Sequence, residues 1–188
     1  MNVIAGRLRG RRLLSVPDLS VRPPSGKLRE CFFDIVGERI VGAHFLDICA
    51  GSGSMGIEAL SRGAGQVTFV EKSTRALAVL RKNLSLCGPE SGARVVAGDL
   101  FRELPRLARS NVPFELVYFD PPYFADLYER ALALIAAQRL LAPGGTLATH
   151  HFKKTLLPEN VDALVRLRVV AHGDARLSFY GRADDASD

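Results

Sequence analysis

Short apolar runs alternate with stretches of helical periodicity through most of this chain, and that alternation restricts the fold more than any other feature. HFLDICA, QVTFVEK, ARVVAGD, FELVYFD and GTLATHHF are brief, rich in Val, Phe and Leu, and closed by turn residues, as buried strands are. Between them, Leu77, Leu80, Leu84 and Cys87 recur at helical spacing behind Ser73, a residue suited to capping, and Leu127, Ala131, Leu134 and Ile135 do the same behind Asp126. Each helix should lay one face on a sheet. Strand and helix in regular turn demand right-handed crossovers, so an α/β fold with a doubly wound, mostly parallel sheet is expected. Toward the end the rhythm changes: LVRLRVVAH and RLSFYGR flank Gly173-Asp174-Ala175, a break that predicts an antiparallel hairpin. Counting all these runs gives a seven-stranded sheet.

At 188 residues, 47% hydrophobic and 24% charged, the chain reads as one domain with a sizeable core. No apolar stretch approaches the roughly 20 residues that span a bilayer, and the opening MNVIAGRLRGRR lacks the apolar core of a signal peptide. A cytoplasmic protein is expected. Cys31, Cys49 and Cys87 are odd in number and contain no CxxC, which suggests neither a disulfide framework nor a metal site.

The net charge of +5 is concentrated at one end: residues 1–30 carry seven Lys or Arg against Asp18 and Glu30, and the rest of the chain balances. Arg7, Arg9 and Arg11 would share one face of a strand, with Arg12 adjoining and Arg22 following in the rigid loop RPPSG. Such a stripe suits a polyanion, the alternative being a solvated arm. After the loop, Leu28, Phe32, Ile35 and Val36 form the buried stripe of a helix. The expected organisation is a basic β extension over residues 1–24, the main domain over 25–182, and an acidic tail over 183–188 that frays.

GSGSMG, residues 51–56, matches G-x-G-x-x-G between a strand and a helix, and Glu71 stands at the tip of the next strand, where a carboxylate can accept ribose hydroxyl protons. A dinucleotide or S-adenosylmethionine would satisfy that much. Asp47, four positions before Gly51, separates them: a pyrophosphate gains nothing from a nearby carboxylate, whereas an ammonium and a sulfonium do. Asp99 closes the third strand, where it can accept from an adenine amine while the N–H of Leu100 meets a ring nitrogen, or else cap the helix that follows. Ligands in such sheets bind outside the carboxyl ends of the strands.

FELVYFD runs into Asp120-Pro121-Pro122-Tyr123. An exocyclic base amine is a poor nucleophile because its lone pair is delocalised into the ring. Acceptors that hold its N–H groups favour a nitrogen nearer sp³, and Asp120 with the Pro121 carbonyl supplies two. Pro122 confines Pro121 to extended conformations and so fixes where that carbonyl points. Tyr123 offers a stacking face worth about 1–3 kcal/mol. In-line displacement at a sulfonium carbon then needs positioning and electrostatics, without a covalent enzyme intermediate.

These residues resemble the class I, Rossmann-like, S-adenosylmethionine-dependent methyltransferases and, among them, the RsmD family of 16S ribosomal RNA guanine-N2 methyltransferases. The likeness runs from NVIAGRLRGRRL through RPPSGKLRECFFDIV, LDICAGSGSMGIEALSRGA, FVEKS and FDPPY to the final hairpin. The glycine segment and DPPY are shared across the superfamily, and the basic opening with RPxxxxxRE narrows it to RsmD. The resemblance implies that Asp47, Gly51 and Gly53 line the methionine side, while Glu71 holds the ribose and Asp99 the adenine; Ser52 within the glycine turn and the Leu100 backbone are further candidates for the cofactor. It implies further that Asp120 to Tyr123 grip a guanine amine, conventionally guanine 966, in 16S rRNA or a partly assembled small ribosomal subunit. A monomer is expected. Relatives usually show RPT followed by a small polar and an acidic residue where this chain has Pro24, Ser25 and Gly26. They often carry acidic residues at the positions of His150 and His151, which as strand neighbours face opposite ways and make a poor joint metal site.

Rival readings are a DNA amino-methyltransferase, a dinucleotide oxidoreductase and a non-catalytic RNA-binding assembly factor. The first would need a target-recognition insert for which 188 residues leave little room; the second conflicts with Asp47, the third with the intact acidic positions. Methylation of a pyrimidine carbon requires a thiolate, and Cys49 reads instead as a small packing residue.

Overall fold

In the computed structural model, which describes residues 1–17, 26–88, 92–110, 112–122 and 125–186, helices and parallel strands alternate as the periodicity predicts. The strands are β1 His44–Ile48, β2 Gln66–Glu71, β3 Ala93–Ala97, β4 Phe114–Phe119, β5 Leu141–Phe152, β6 Asn160–Val161, β7 Leu164–His172 and β8 Ala175–Arg182. The helices are α1 Gly26–Val36, α2 Ser54–Ser61, α3 Thr74–Cys87, α4 Leu100–Ala108 and α5 Ala125–Ala137. The sheet order is β3-β2-β1-β4-β5-β8-β7-β6. The first five strands pair in parallel, and β8, β7 and β6 follow as an antiparallel set. Among the described residues the sheet has eight strands rather than seven, because Asn160–Val161 forms a two-residue edge strand too short to carry a period.

Alternation along each strand divides the core. Phe45 and Tyr118 face one side, where the Phe32 ring of α1 meets them edge-on at 5.9 and 5.3 Å between centroids. Leu46, Val117 and Phe119 face the other, against Leu104 of α4 and Tyr128 of α5. In α1 it is Phe33, not Ile35, that joins Leu28, Phe32 and Val36 among the buried residues, with the Arg62 guanidinium 4.7 Å over its ring. Ser73 caps α3, accepting from the Ala76 N–H at 3.3 Å. Asp126 falls inside the first turn of α5 rather than ahead of it.

The N-terminal segment is not a regular strand. Among the described residues, one isolated antiparallel bridge joins Asn2 to Arg12, and residues between them bend through Gly6 and Gly10, both at positive φ (79° and 83°). Arg7 and Arg9 therefore stand on a turn, and Arg11 and Arg12 on its return limb; all four are exposed, but not as a strand face. The segment is fixed by the wholly buried Glu58 of α2, which accepts from the N–H groups of Ile4 (2.8 Å) and Ala5 (2.9 Å) and from Arg62 Nε (2.9 Å). Arg29, 3% exposed, donates to the Asn2 carbonyl at 2.7 Å. At the other end, Ala183–Ala186 forms a 3-10 turn, and Asp185 accepts from the Gly144 N–H at 2.8 Å; the last two residues of the expected tail, 187 and 188, lie outside the described residues. Arg22, Pro24, Ser25 and Tyr123 lie outside the described residues.

Candidate active site

The strand order reverses direction at β1, which lies between β2 and β4, and a crevice opens there at the carboxyl ends of the strands. Register sets the geometry: Asp47 pairs with Tyr118 and Ile48 with Phe119, so Asp120 emerges one step beyond. A cavity of about 280 Å³ occupies the crevice, with Asp47, Glu71, Asp120, Gly51, Ser52 and Pro122 among its lining residues. Leu100 and Gly98 border it from the β3 side, and Met1, Ser15 and Val16 bring the N-terminal segment against it.

Local chain geometry explains the glycines. Gly53 has φ 80°, and a Cβ there would stand 2.2 Å from Leu80 Cδ1; at Gly56 a Cβ would stand 2.2 Å from Phe69 Cε1. These two glycines seat α2 against α3 and β2, while Gly51 and Ser52 form the cavity wall. With α2 held so close, its Gly56 N–H donates to Asp47 Oδ2 at 2.9 Å.

Asp47 is 2% exposed, and its carboxyl is pushed up to about 7, first by burial and then by the charges of Asp120 and Glu71, against the opposing hydrogen bond from Gly56. Glu71 braces the glycine turn: Oε2 accepts from the Gly51 N–H at 2.8 Å, and Oε1 from Lys72 and Ser73 at 2.9 and 2.8 Å. Of about four acceptor positions on a carboxylate, these three bonds leave one for a ligand. Asp99 caps α4, accepting from the Phe101 N–H at 3.0 Å, and lies 3.6 Å from Lys72 Nζ. Leu100, rather than the Asp99 side chain, lines the cavity.

Cys49 sits at the turn with φ 62°, and burial followed by the charges of Glu71, Asp120 and Asp47 pushes its thiol well above the ordinary range. A thiolate nucleophile is disfavoured there. Asp120 Oδ1 lies 2.8 Å from His150 Nδ1, a partner that sequence reading did not assign. Its signal is hidden in strand register: Thr149 pairs with Phe119, which puts His150 level with Asp120. His151 turns away, its Nε2 2.9 Å from Ser178 Oγ. Among the described residues that line it, three carboxylates and, of the Lys and Arg side chains, Lys72 alone make the cavity suited to a cationic ligand and hostile to a pyrophosphate. Among the described residues, no group of three or more His, Cys, Asp or Glu could hold a metal, and no helix is long and apolar enough to cross a membrane.

The family model described as Conserved hypothetical protein 95 matches residues 1–181. The Ribosomal RNA small subunit methyltransferase D of Haemophilus influenzae is 32% identical over 162 residues, covering 85% of this chain and 84% of that protein. Its namesake in Escherichia coli K12 is 36% identical over 143 residues, covering 76% and 70%. Among solved structures, the Escherichia coli protein yhhF, named as a methyltransferase, aligns with a TM-score of 0.83 at 32% identity over 97% of each chain.

Proposed function

This chain belongs to the RsmD family of S-adenosylmethionine-dependent methyltransferases, and on that premise we propose that it methylates the exocyclic N2 amine of a guanine in 16S rRNA of the small ribosomal subunit. The observation that carries the reading is the placing of Asp47 and Asp120 at adjacent strand ends around one acidic cavity. The acidic lining suits the ammonium and sulfonium of S-adenosylmethionine. When bound, that cofactor supplies the electrophilic methyl group. Gly51, Ser52 and Asp47 would hold its methionine end, Glu71 its ribose, and the Leu100 backbone its adenine.

The chain's own residues then act on the amine. Asp120 and the Pro121 carbonyl accept its two N–H bonds, which localises the nitrogen lone pair. Pro122 keeps that carbonyl aimed. Once the nitrogen has taken the methyl group, Asp120 would accept the proton that the amine releases. Tyr123 stacks on the base, and Arg7, Arg9, Arg11, Arg12 and Arg22 meet phosphates.

Tritiated S-adenosylmethionine with small subunits lacking the modification provides the test. Label should appear on a guanine N2 of 16S rRNA, and Asp120→Ala should lower the rate by about 10²–10⁴. Label on another base, or an undiminished Asp120→Ala rate, refutes the assignment.

A further inference from the structure

We propose that His150 is the positioning residue for Asp120, holding one carboxylate oxygen so that the other faces the amine to be methylated. The inference rests on the role of Asp120 proposed above and concerns a residue which neither the cavity nor the sequence motif assigns.

His150 is 2% exposed and stands in β5, level with Asp120 across the β4–β5 pairing. Its backbone is tied on both sides. Tyr128 Oη donates to the His150 carbonyl at 3.1 Å, and Thr149 Oγ1 donates to the Phe119 carbonyl at 3.1 Å, stitching β5 to the residue before Asp120. The imidazole is therefore a rigid partner on a strand, whereas Asp120 lies on the loop that leaves β4, its side chain 15% exposed. Nδ1 and Oδ1 are 2.8 Å apart. An ionised carboxylate only accepts, so with Asp120 charged the shared proton belongs to Nδ1.

That bond has two consequences for the reaction. It occupies Oδ1 and leaves Oδ2 to accept the substrate N–H. It also holds the side chain in one rotamer before substrate arrives, so no reorganisation is needed as charge develops on the nitrogen. The proton released by the nitrogen passes to Oδ2 while Nδ1 continues to donate to Oδ1.

The test compares His150→Leu, His150→Asn, Asp120→Ala and the double variant Asp120→Ala/His150→Leu under saturating S-adenosylmethionine and unmodified small subunits, with S-adenosylhomocysteine binding as a check that the cavity stays built. His150→Leu should lower kcat by about ten- to a hundredfold with the cofactor KM unchanged. His150→Asn, whose amide nitrogen can replace Nδ1 as donor, should recover most of that loss, an effect that a purely structural histidine would not produce. In the double variant, loss of His150 should cost nothing beyond loss of Asp120. A full-rate His150→Leu enzyme beside an inactive Asp120→Ala enzyme overturns the His150 role alone, as does His150→Asn matching His150→Leu. A full-rate Asp120→Ala enzyme overturns the Asp120 reading and this inference with it.

Discussion

Asp120 donates its backbone N–H to the carbonyl of Ile48 at 3.3 Å, which locks the start of the DPPY segment one residue past Asp47. Through that bond the end of β4 follows the end of β1, and two carboxylates share one cavity.

Asp47 should make stability depend on pH. Its carboxyl keeps a proton up to about pH 7 in the folded chain but only to about 3.8 when unfolded. Between those values the folded state binds more protons, so stability falls as pH rises through the window and levels off above it. Asp47→Asn retains an acceptor for the Gly56 N–H and removes the buried charge. Calorimetric scans of the cofactor-free protein should show a higher Tm for the variant at pH 8, by about 2–4 °C per kcal/mol recovered, and no gain near pH 4. Affinity for S-adenosylmethionine should drop at the same time. A variant less stable at pH 8 contradicts the assignment.

Glu58→Gln should loosen the N-terminal segment. Neutralising this buried side chain leaves Arg29 and Arg62 without their shared counter-charge, at a cost of about 3–5 kcal/mol. Hydrogen exchange should speed up at the Ile4 and Ala5 amides, which donate to Glu58, before it does in the β1 and β4 amides of the sheet. Equal acceleration throughout would show that Glu58 supports the whole domain rather than this segment.

Replacing Arg7, Arg9 and Arg11 with Ala should weaken RNA binding and reduce the slope of log K against log salt by about 2–3, one phosphate contact being worth roughly 0.7–0.9. These side chains are exposed, although Arg11 also donates to the Leu86 carbonyl at 2.8 Å. Fluorescence titrations at several ionic strengths measure the slope directly. An unchanged value rejects a phosphate role for the turn.

The parallel sheet was legible because each strand is a short apolar run with a turn signal at its end, as in FELVYFD before Pro121. The acidic strand ends were legible for the same reason. What lay outside reach was set by tertiary contact. The arginines of residues 7–12 alternate like a strand, yet Gly6 and Gly10 take positive φ and turn the chain on α2. Glu58 reads as an ordinary helix residue until the folded chain brings Ile4 and Ala5 to it. His150 needs the β4–β5 register, which no local pattern contains. Asp99 offered two roles; its hydrogen bond from the Phe101 N–H fills the cap on α4 and leaves further acceptor positions on the carboxylate.

The absence of a side chain at Gly56 has an effect some distance from where it is felt. Because helix α2 can approach the sheet closely, a main-chain amide reaches a carboxyl group sealed beneath it. The proton affinity of Asp47 is thereby tuned by the thickness of a helix–sheet gap, a steric setting that a single methyl group would erase.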